Sequence, residues 1–518
     1  MKNKIYSFQK LLFALPVVVL IGCTDLEEIP LDGVVPQAGA SGATADLITL
    51  KKDIAYFYNE WARRLGITEM PADGMAGPTR GGDWDDNAAL RQIHGHQWAP
   101  DHPWIRDSYN GFMTGIYNAD LVLNNSGQAN IHPHAKFVKA FMYYHMMDNF
   151  GQVPYRESYD DMTKDALVYS RSEAFDIAAQ LAQEAHDALP EKGDDATLIT
   201  KDAAKMLLAK LHLNKAVFKS EPGSTEFTHD AADMTKVIQL VSGMQSTLNV
   251  ADGDPAYSWW HNFDVDNHLS NEIIFSLKKL TAGGSESVGD TQYMWRMGMH
   301  YNQTPGGWNG PVITGEYYSK YFSSDDPRQE YENADIIERL GNPVGIQKGQ
   351  MYAPGGTTKL KDRKGNDLVY SPFTADIGLV VLDPVAIESA GYRPMRYIPG
   401  EDQSNSDNDN VIFRYSDALL MSAEAALRGG SGGDAQEALD AVRSRVGLES
   451  IPASLENVYA ERARELWMEG WRRNDMIRFG TFLEPKALKP AASDARALLF
   501  PFPADALLNP NITQNPGY

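Results

Sequence analysis

The chain has 518 residues, with 47 Lys and Arg against 69 Asp and Glu, for a net charge of −22. That balance excludes nucleic acid, whose binding rests on cationic side chains neutralising phosphates, and docking on anionic head groups. A hydrophobic fraction of 43% over this length supports a large core, and a lone cysteine excludes an internal disulfide.

The first 22 residues read as a signal peptide. Lys2, Lys4 and Lys10 form a basic start, and Leu11 to Ile21 is an apolar run too short to span a bilayer with confidence. It ends in Leu20-Ile21-Gly22-Cys23, the small-residue-then-cysteine pattern of a bacterial lipoprotein. Cys23 is therefore expected as a lipidated N-terminus, where several acyl chains anchor stably and one alone is marginal. No later segment has an apolar run long enough to span. Residues 23–41, rich in Gly and Pro, read as a tether, and residues 42–518 as a single domain.

From Ala43 to Leu65 apolar residues fall on one helical face: Leu47, Leu50, Ile54, Phe57, Tyr58, Trp61 and Leu65. This assigns Trp61 to the core. Residues 66–103 break the period. The stretch EMPADGMAGPTRGGDWDDN is rich in Gly and Pro, and HGHQWAPDHPW follows it. Large aromatics in a polar loop are what carbohydrate sites use. A sugar's C–H face stacks on an indole, and its hydroxyls take partners such as Asp, Asn and Arg. Trp104 reads as packing. His94-x-His96 and His132-x-His134 lack helical i, i+4 spacing and a completing carboxylate, so no metal site is expected.

Helical patterns follow at Ser108–Asn124, at the HAKFVKAFMYYHMMDN run stopped by Gly151 and Pro154, after the capping box Ser170-x-x-Glu173, and at Lys201–Phe218. Short loops pair them, the pattern of a TPR-like solenoid. Their aromatic stripes read as core, and no cofactor is expected. Residues 254–410 interrupt the pattern. They hold a short strand at Ile273–Phe275 and a second aromatic, glycine-rich loop with Tyr293, Trp295, Tyr301, Trp308 and Asn309. They also hold Asp326 and Arg328, read as an ion pair, and the polar loop 404–410, read as solvated rather than calcium-binding.

Val411 to Gly480 returns to helices. VIFRYSDALLMSAEAALRGG places Phe413, Leu420, Ala423 and Leu427 at helical spacing, and DAQEALDAVRSRVG places Ala438, Leu439 and Val442 on one face. Gly429–Gly430 and Gly447 end these two helices. In ERARELWMEGWRRNDMIRFG, Glu461, Glu465 and Glu469 fall four apart, with Arg462, Arg472, Arg473, Asp475 and Arg478 set among Trp467 and Trp471. Charges mixed with tryptophans imply a partly buried ion network that locks this helix to its neighbours. Flanking arginines keep the carboxylates ionised, which suits salt bridges better than acid catalysis. The tail FPFPADALLNPNITQNPGY carries four prolines and reads as extended along the scaffold.

Three motifs in order, RYSDALLMSAEA, ER-x-x-EL-x-x-EG-x-R-x-x-D-x-IRFG and the proline-rich ending, resemble the SusD/RagB family of surface glycan-binding lipoproteins. NFGQVPY, EIIF and GYRPMRY are similar to further family segments, with Arg396 where lysine is usual. The resemblance implies a mostly α fold: a TPR-like helical-pair scaffold (SusD-like) with large irregular insertions at about 66–103 and 254–410 and minor β structure. It places the RG-x-DW core near the glycan site, which carries over to Arg80, Asp83 and Trp84 and extends to Trp98. The acidic Thr24-Asp25-Leu26-Glu27-Glu28 resembles a signal for export to the outer face of the outer membrane. The implied partner is a TonB-dependent (SusC-like) outer-membrane transporter that the protein caps as a lid.

On this reading the insertions meet to form a shallow aromatic platform. Trp84 and Trp308 are the leading pair, Arg80, Asp83 and Asn309 bond the hydroxyls, and Tyr301 and Trp295 stand nearby. A surface glycoside hydrolase with paired carboxylates is the runner-up, although no motif selects a pair. Uptake of a non-glycan ligand such as peptide, and a peptide-binding helical adaptor, complete the alternatives.

Overall fold

The computed structural model describes residues 43–80, 83–161, 163–373, 380–381, 387–402 and 406–518. Cys23, the signal peptide and the tether lie outside the described residues. From residue 42 onward the chain forms one compact unit.

Helical periodicity supplies the frame. Eight helices come first: α1 (Ala43–Tyr58), α2 (Arg64–Thr68), α3 (Ala89–Gly95), α4 (Pro103–Asn124), α5 (His132–Asn149), α6 (Arg171–Ala188), α7 (Lys201–Phe218) and α8 (Ala231–Ser242). Then α9 (Pro255–Trp260), α10 (Tyr293–Arg296), α11 (Gly315–Tyr321) and α12 (Ala334–Leu340) fall within the second insertion. The frame resumes with α13 (Tyr415–Leu427), α14 (Ala435–Ser444), α15 (Leu455–Glu465) and α16 (Arg472–Arg478). From α4 to α8 each helix packs on the next, and α8 packs directly on α13, which carries α14 and α15. The scaffold is thus continuous across the insertion. Helix α5 is buried along most of its length, with Phe137, Ala140, Phe141, Tyr144 and Met147 all in the core. At the start of α6 the capping box forms: Ser170 N–H donates to Glu173 Oε2 at 2.9 Å, and Glu173 N–H returns a bond to Ser170 Oγ at 3.3 Å.

The strands are short. They are β1 (Met75–Ala76), β2 (Thr79–Arg80), β3 (Val153–Tyr155), β4 (Leu167–Tyr169), β5 (Ile273–Leu277), β6 (Val312–Ile313), β7 (Glu330–Tyr331), β8 (Val344–Gln347), β9 (Gly349–Gln350), β10 (Val369–Tyr370), β11 (Val380–Val381), β12 (Arg393–Met395) and β13 (Asn410–Arg414). Two pairings join the insertions: β1 runs antiparallel to β6, and β2 parallel to β11. The tail is tied down as well. Phe500 N–H donates to the Asn149 carbonyl at 2.7 Å, and Asn515 Nδ2 donates to the carbonyls of Phe150 and Phe500.

Three helical expectations need correcting. Val411–Phe413 belongs to β13, not to a helix: all five β13 residues are buried and pair antiparallel with β5, so Phe413 packs from a strand. The first helix stops at Tyr58. Asn410 Nδ2 takes the Tyr58 carbonyl, while Asn59 donates to Val288 O at 2.7 Å and accepts from Asp290 N–H at 3.0 Å. The arginine-rich helix breaks between Glu465 and Arg472. Met468 and Gly470 adopt φ of 60° and 89°, and the freed carbonyls of Trp467 and Glu469 accept from Arg396 and Arg64.

Arg396, through Glu469, belongs to a buried ion network. Arg414 bonds Glu272 at 2.6 Å, Glu465 at 2.8 Å and Glu469, and Arg445 bridges Glu272 and Glu465. Arg328 joins Asp326 at 2.7 Å, Glu461 at 2.6 Å and Glu465 at 3.0 Å. A second cluster runs from Lys210 through Asp417, Arg462 and Asp475 to Arg478 and Glu424. Burial alone would raise the Glu461 and Glu424 carboxyls. Arg328, Arg464 and Arg443 hold the first at about 2, and Arg478 and Arg428 hold the second at about 2.

The loop 404–410 is not simply solvated, although residues 403–405 are outside the described set. Asn408 and Asp409 are buried: Asn408 donates to the Phe263 and Ile398 carbonyls at 3.0 Å, and Asp409 accepts from Lys279 N–H at 2.8 Å. Their polar atoms stitch the loop to its neighbours.

Candidate functional site

Where the two insertions meet, a cleft of about 550 Å³ opens. Its walls are Trp61, Arg80, Asp83, Trp84, Asp86, Tyr301, Gly307, Trp308, Asn309 and Arg363. It brings together six of the eight residues singled out from the sequence, contributed by segments more than 200 positions apart.

The loop after α10 is closed by its own backbone. Trp308, Gly310 and Asn309 donate to the carbonyls of Arg296, Met297 and Met299, each at 2.8 Å. Gly307 is required there, since a Cβ would stand 2.4 Å from the Met299 oxygen and 2.5 Å from that of Arg296. The closure presents Trp308, which stays 40% exposed, with Tyr293 at 5.5 Å and the Arg296 guanidinium at 5.5 Å from its ring centroid. On the other insertion, Trp84 has a φ of 60°, an uncommon conformation for a bulky residue. Its Nε1–H donates to the Trp308 carbonyl at 2.9 Å, and its indole lies over Gly310, where a Cβ would come within 2.2 Å. Trp61 meets Trp84 edge-on at 5.4 Å and is backed by Trp104 at 5.0 Å. Tyr301, 39% exposed, adds another ring.

The polar residues divide into two kinds. Arg80 and Asn309 are buried in the cleft floor and already engaged. Arg80 donates to the carbonyls of Ile387, Ala390 and Gly310. Asn309 donates to Glu388 O at 3.1 Å and accepts from Arg393 at 2.8 Å. Burial, with the neighbouring Arg393 cation, pushes the Arg80 guanidinium well below its ordinary range. These two shape the floor. Asp83, Asp86 and Arg363 are exposed at the rim. Arg363 Nε donates to Glu388 Oε2 at 2.8 Å, and His300 Nε2 lies 2.7 Å from Glu388 Oε1, which also accepts from the Tyr301 hydroxyl. Burial opposes ionisation of Glu388, but the bonds from Tyr301, Arg363 and His300 outweigh it and hold the carboxyl at about 2.

Trp98 and Trp295 do not line this cleft. Trp98 is buried against Phe500 and donates to the Tyr518 hydroxyl at 2.6 Å, so it fastens the tail. Trp295 is buried in α10. Trp61 lines the cleft because the helical stripe to which its spacing assigns it ends three residues earlier, at Tyr58. Arg363 and Asp86 carried no aromatic or glycine signal of their own. His94 sits between the carbonyls of Met75 and Ala487, and His96 bonds the carbonyl of Pro71. Among the described residues no group of three or more His, Cys, Asp or Glu is placed to hold a metal ion.

A mostly helical frame that offers an aromatic cleft made from its insertions is the architecture of a ligand-binding protein. Two family models match: the SusD family over residues 271–495, and a family described as starch-binding associating with outer membrane over residues 77–213. The chain belongs to the SusD/RagB family, whose proteins bind without catalysing a reaction. It is 23% identical to the starch-binding protein SusD of Bacteroides thetaiotaomicron, over 94% of this chain and 90% of that one. It is 24% identical to SusD-like protein P2 of Formosa agariphila, over 98% and 99%. Among solved structures, a laminarin binding SusD-like protein matches at a TM-score of 0.67 and 22% identity, covering 92% of this chain and 99% of that one. Surface glycan-binding protein A of Bacteroides thetaiotaomicron, in complex with laminarihexaose, matches at 0.62 and 18%, covering 91% and 98%. These likenesses define a mostly helical SusD-like fold with small β-sheets.

Proposed function

We propose that this chain is a surface glycan-binding lipoprotein of the outer membrane. It captures an oligosaccharide or polysaccharide in the cleft between its insertions and delivers it to a TonB-dependent transporter. The observation that carries the reading is the cleft itself. Trp61, Trp84, Tyr301 and Trp308 turn half-buried or exposed rings toward one opening, and hydrogen-bonding side chains lie between them. Rings at an angle to each other suit a curved chain of sugars better than a flat face. Cys23 is the proposed lipid anchor and residues 23–41 the tether to the domain at 42–518. Cys23→Ser is expected to release the chain from the membrane fraction, and retention would remove the anchor.

The carboxylate beside the cleft argues against a hydrolase. Glu388 is ionised and bonded by three side chains, whereas a general acid needs its proton at neutral pH. Neutral glucans such as laminarin and starch, named for relatives, are the first ligands to test. Trp84→Ala combined with Trp308→Ala is expected to weaken binding by about tenfold or more with an unchanged melting temperature. Calorimetric titration checks this. Undiminished affinity in the folded double variant would move the ligand away from this cleft.

A further inference from the structure

Arg363 is set up for more than an ion pair. Its Nε and its backbone N–H both bond Glu388, at 2.8 and 3.1 Å, and its guanidinium lies 5.4 Å from the Tyr301 ring centroid. The stem is fixed, while neither Nη makes a hydrogen bond among the described residues. Ordering this side chain therefore costs a ligand little. Asp83 is the reverse. Its backbone is held by two hydrogen bonds with Arg80, at 2.9 and 3.0 Å, and its exposed carboxylate has no hydrogen-bond or ion-pair partner among the described residues. Asp83 lies close enough that its charge bears on both Arg363 and Tyr301.

We infer that Arg363 and Asp83 face each other across the cleft as a donor–acceptor clamp on sugar hydroxyls, and that the cleft takes a neutral glycan in preference to a carboxylated or sulfated one. This rests on reading the cleft as a glycan site. A hydroxyl both donates and accepts, so it satisfies a guanidinium on one side and a carboxylate on the other. A uronate satisfies only the first and is repelled by the second. The wider charge pattern agrees. Among the described residues, two guanidiniums, Arg80 and Arg363, line the cleft against two carboxylates, Asp83 and Asp86, with Arg393 and Glu388 directly behind them. With the charges already balanced, a ligand carboxylate or sulfate would enter as a surplus anion in a chain of net charge −22.

The test is calorimetric titration of the full chain in detergent against laminarin and starch, each beside its C6-oxidised and its sulfated form. At least one neutral glucan is expected to bind, with affinity unchanged between about 50 and about 500 mM salt. Its charged derivatives are expected to bind about tenfold or more weakly. Arg363→Met should weaken the neutral glucan about tenfold with an unchanged melting temperature, and Arg363→Lys should not restore it, because the planar fork is lost. Asp83→Asn should narrow the gap between neutral and oxidised forms. A charged derivative binding as tightly as its parent, or an Arg363→Met variant of full affinity, overturns the clamp while leaving the glycan reading standing. No binding by any of these glucans, charged or neutral, defeats the reading of the cleft as a glucan site, and the clamp with it.

Discussion

At the scale of single residues the cleft depends on what is missing as much as on what is present. Gly310 lets the Trp84 indole pack closely on the loop that carries Trp308, since a Cβ there would stand only 2.2 Å from the ring. Gly310→Ala should push the ring away and weaken ligand binding by about tenfold, close to the loss from removing Trp84. Titration of the folded variant against the best neutral glucan checks this, and unaltered affinity would show that Trp84 needs no fixed pose. This scale is also where sequence reading was sharpest and most fallible. Trp308 was legible because aromatic and polar residues clustered in an aperiodic loop, and Trp84 and Asp83 because such a loop also carries the RG-x-DW core that resembles the family's. The same rule drew in Trp98, because nothing local says that Tyr518 arrives, 420 positions later, to accept its N–H. Arg80 and Asn309 line the same cleft as Trp84 and Trp308 but as floor residues, since the carbonyls that occupy them come from residues 387–390 and 310.

Elements tell a similar story. Helices α4 to α7 follow from periodicity because each packs on the next, and the α6 cap was written in Ser170 and Glu173. Ser170→Ala should destabilise the protein by about 1 kcal/mol and leave the cleft untouched. Urea unfolding measures the first and titration the second, and a loss of affinity would mean that α6 is coupled to the site. The breaks after Tyr58 and Glu465 were not legible. Each occurs where distant side chains take over backbone groups that a helix would have used: Asn410 in the first case, Arg64 and Arg396 in the second. Helical spacing continues through both breaks in the sequence, so periodicity alone runs past them. The first break is what turns Trp61 from a stripe residue into a cleft wall.

For the molecule as a whole, the buried ions set stability. The apolar residues needed to replace them are absent, so removing one partner strands the others. Glu465→Gln, which uncouples Arg328, Arg414 and Arg445, should cost about 3–5 kcal/mol. Acid should act on the same network. Glu424 and Glu461 titrate near 2 in the folded chain, below the ordinary value of 4.5. Their contribution is therefore complete above about pH 4.5 and drains away as pH falls toward about 2. Denaturation midpoints measured across that window should fall steeply, and a flat profile would mean that the ion network contributes nothing net.

The three residues that wire the second insertion into that network are Glu272, Arg328 and Arg396. They behave as fixed posts with two stretches of chain slung between them. Trp308 hangs in the first span, 273–327, and Arg363 in the second, 329–395. Outside β5 and Asp326, which hold to the frame and to Arg328, each span can be rewritten by descent or by design without moving a post, and each alters a different part of the cleft. A lineage of such proteins can thus change its ligand one span at a time.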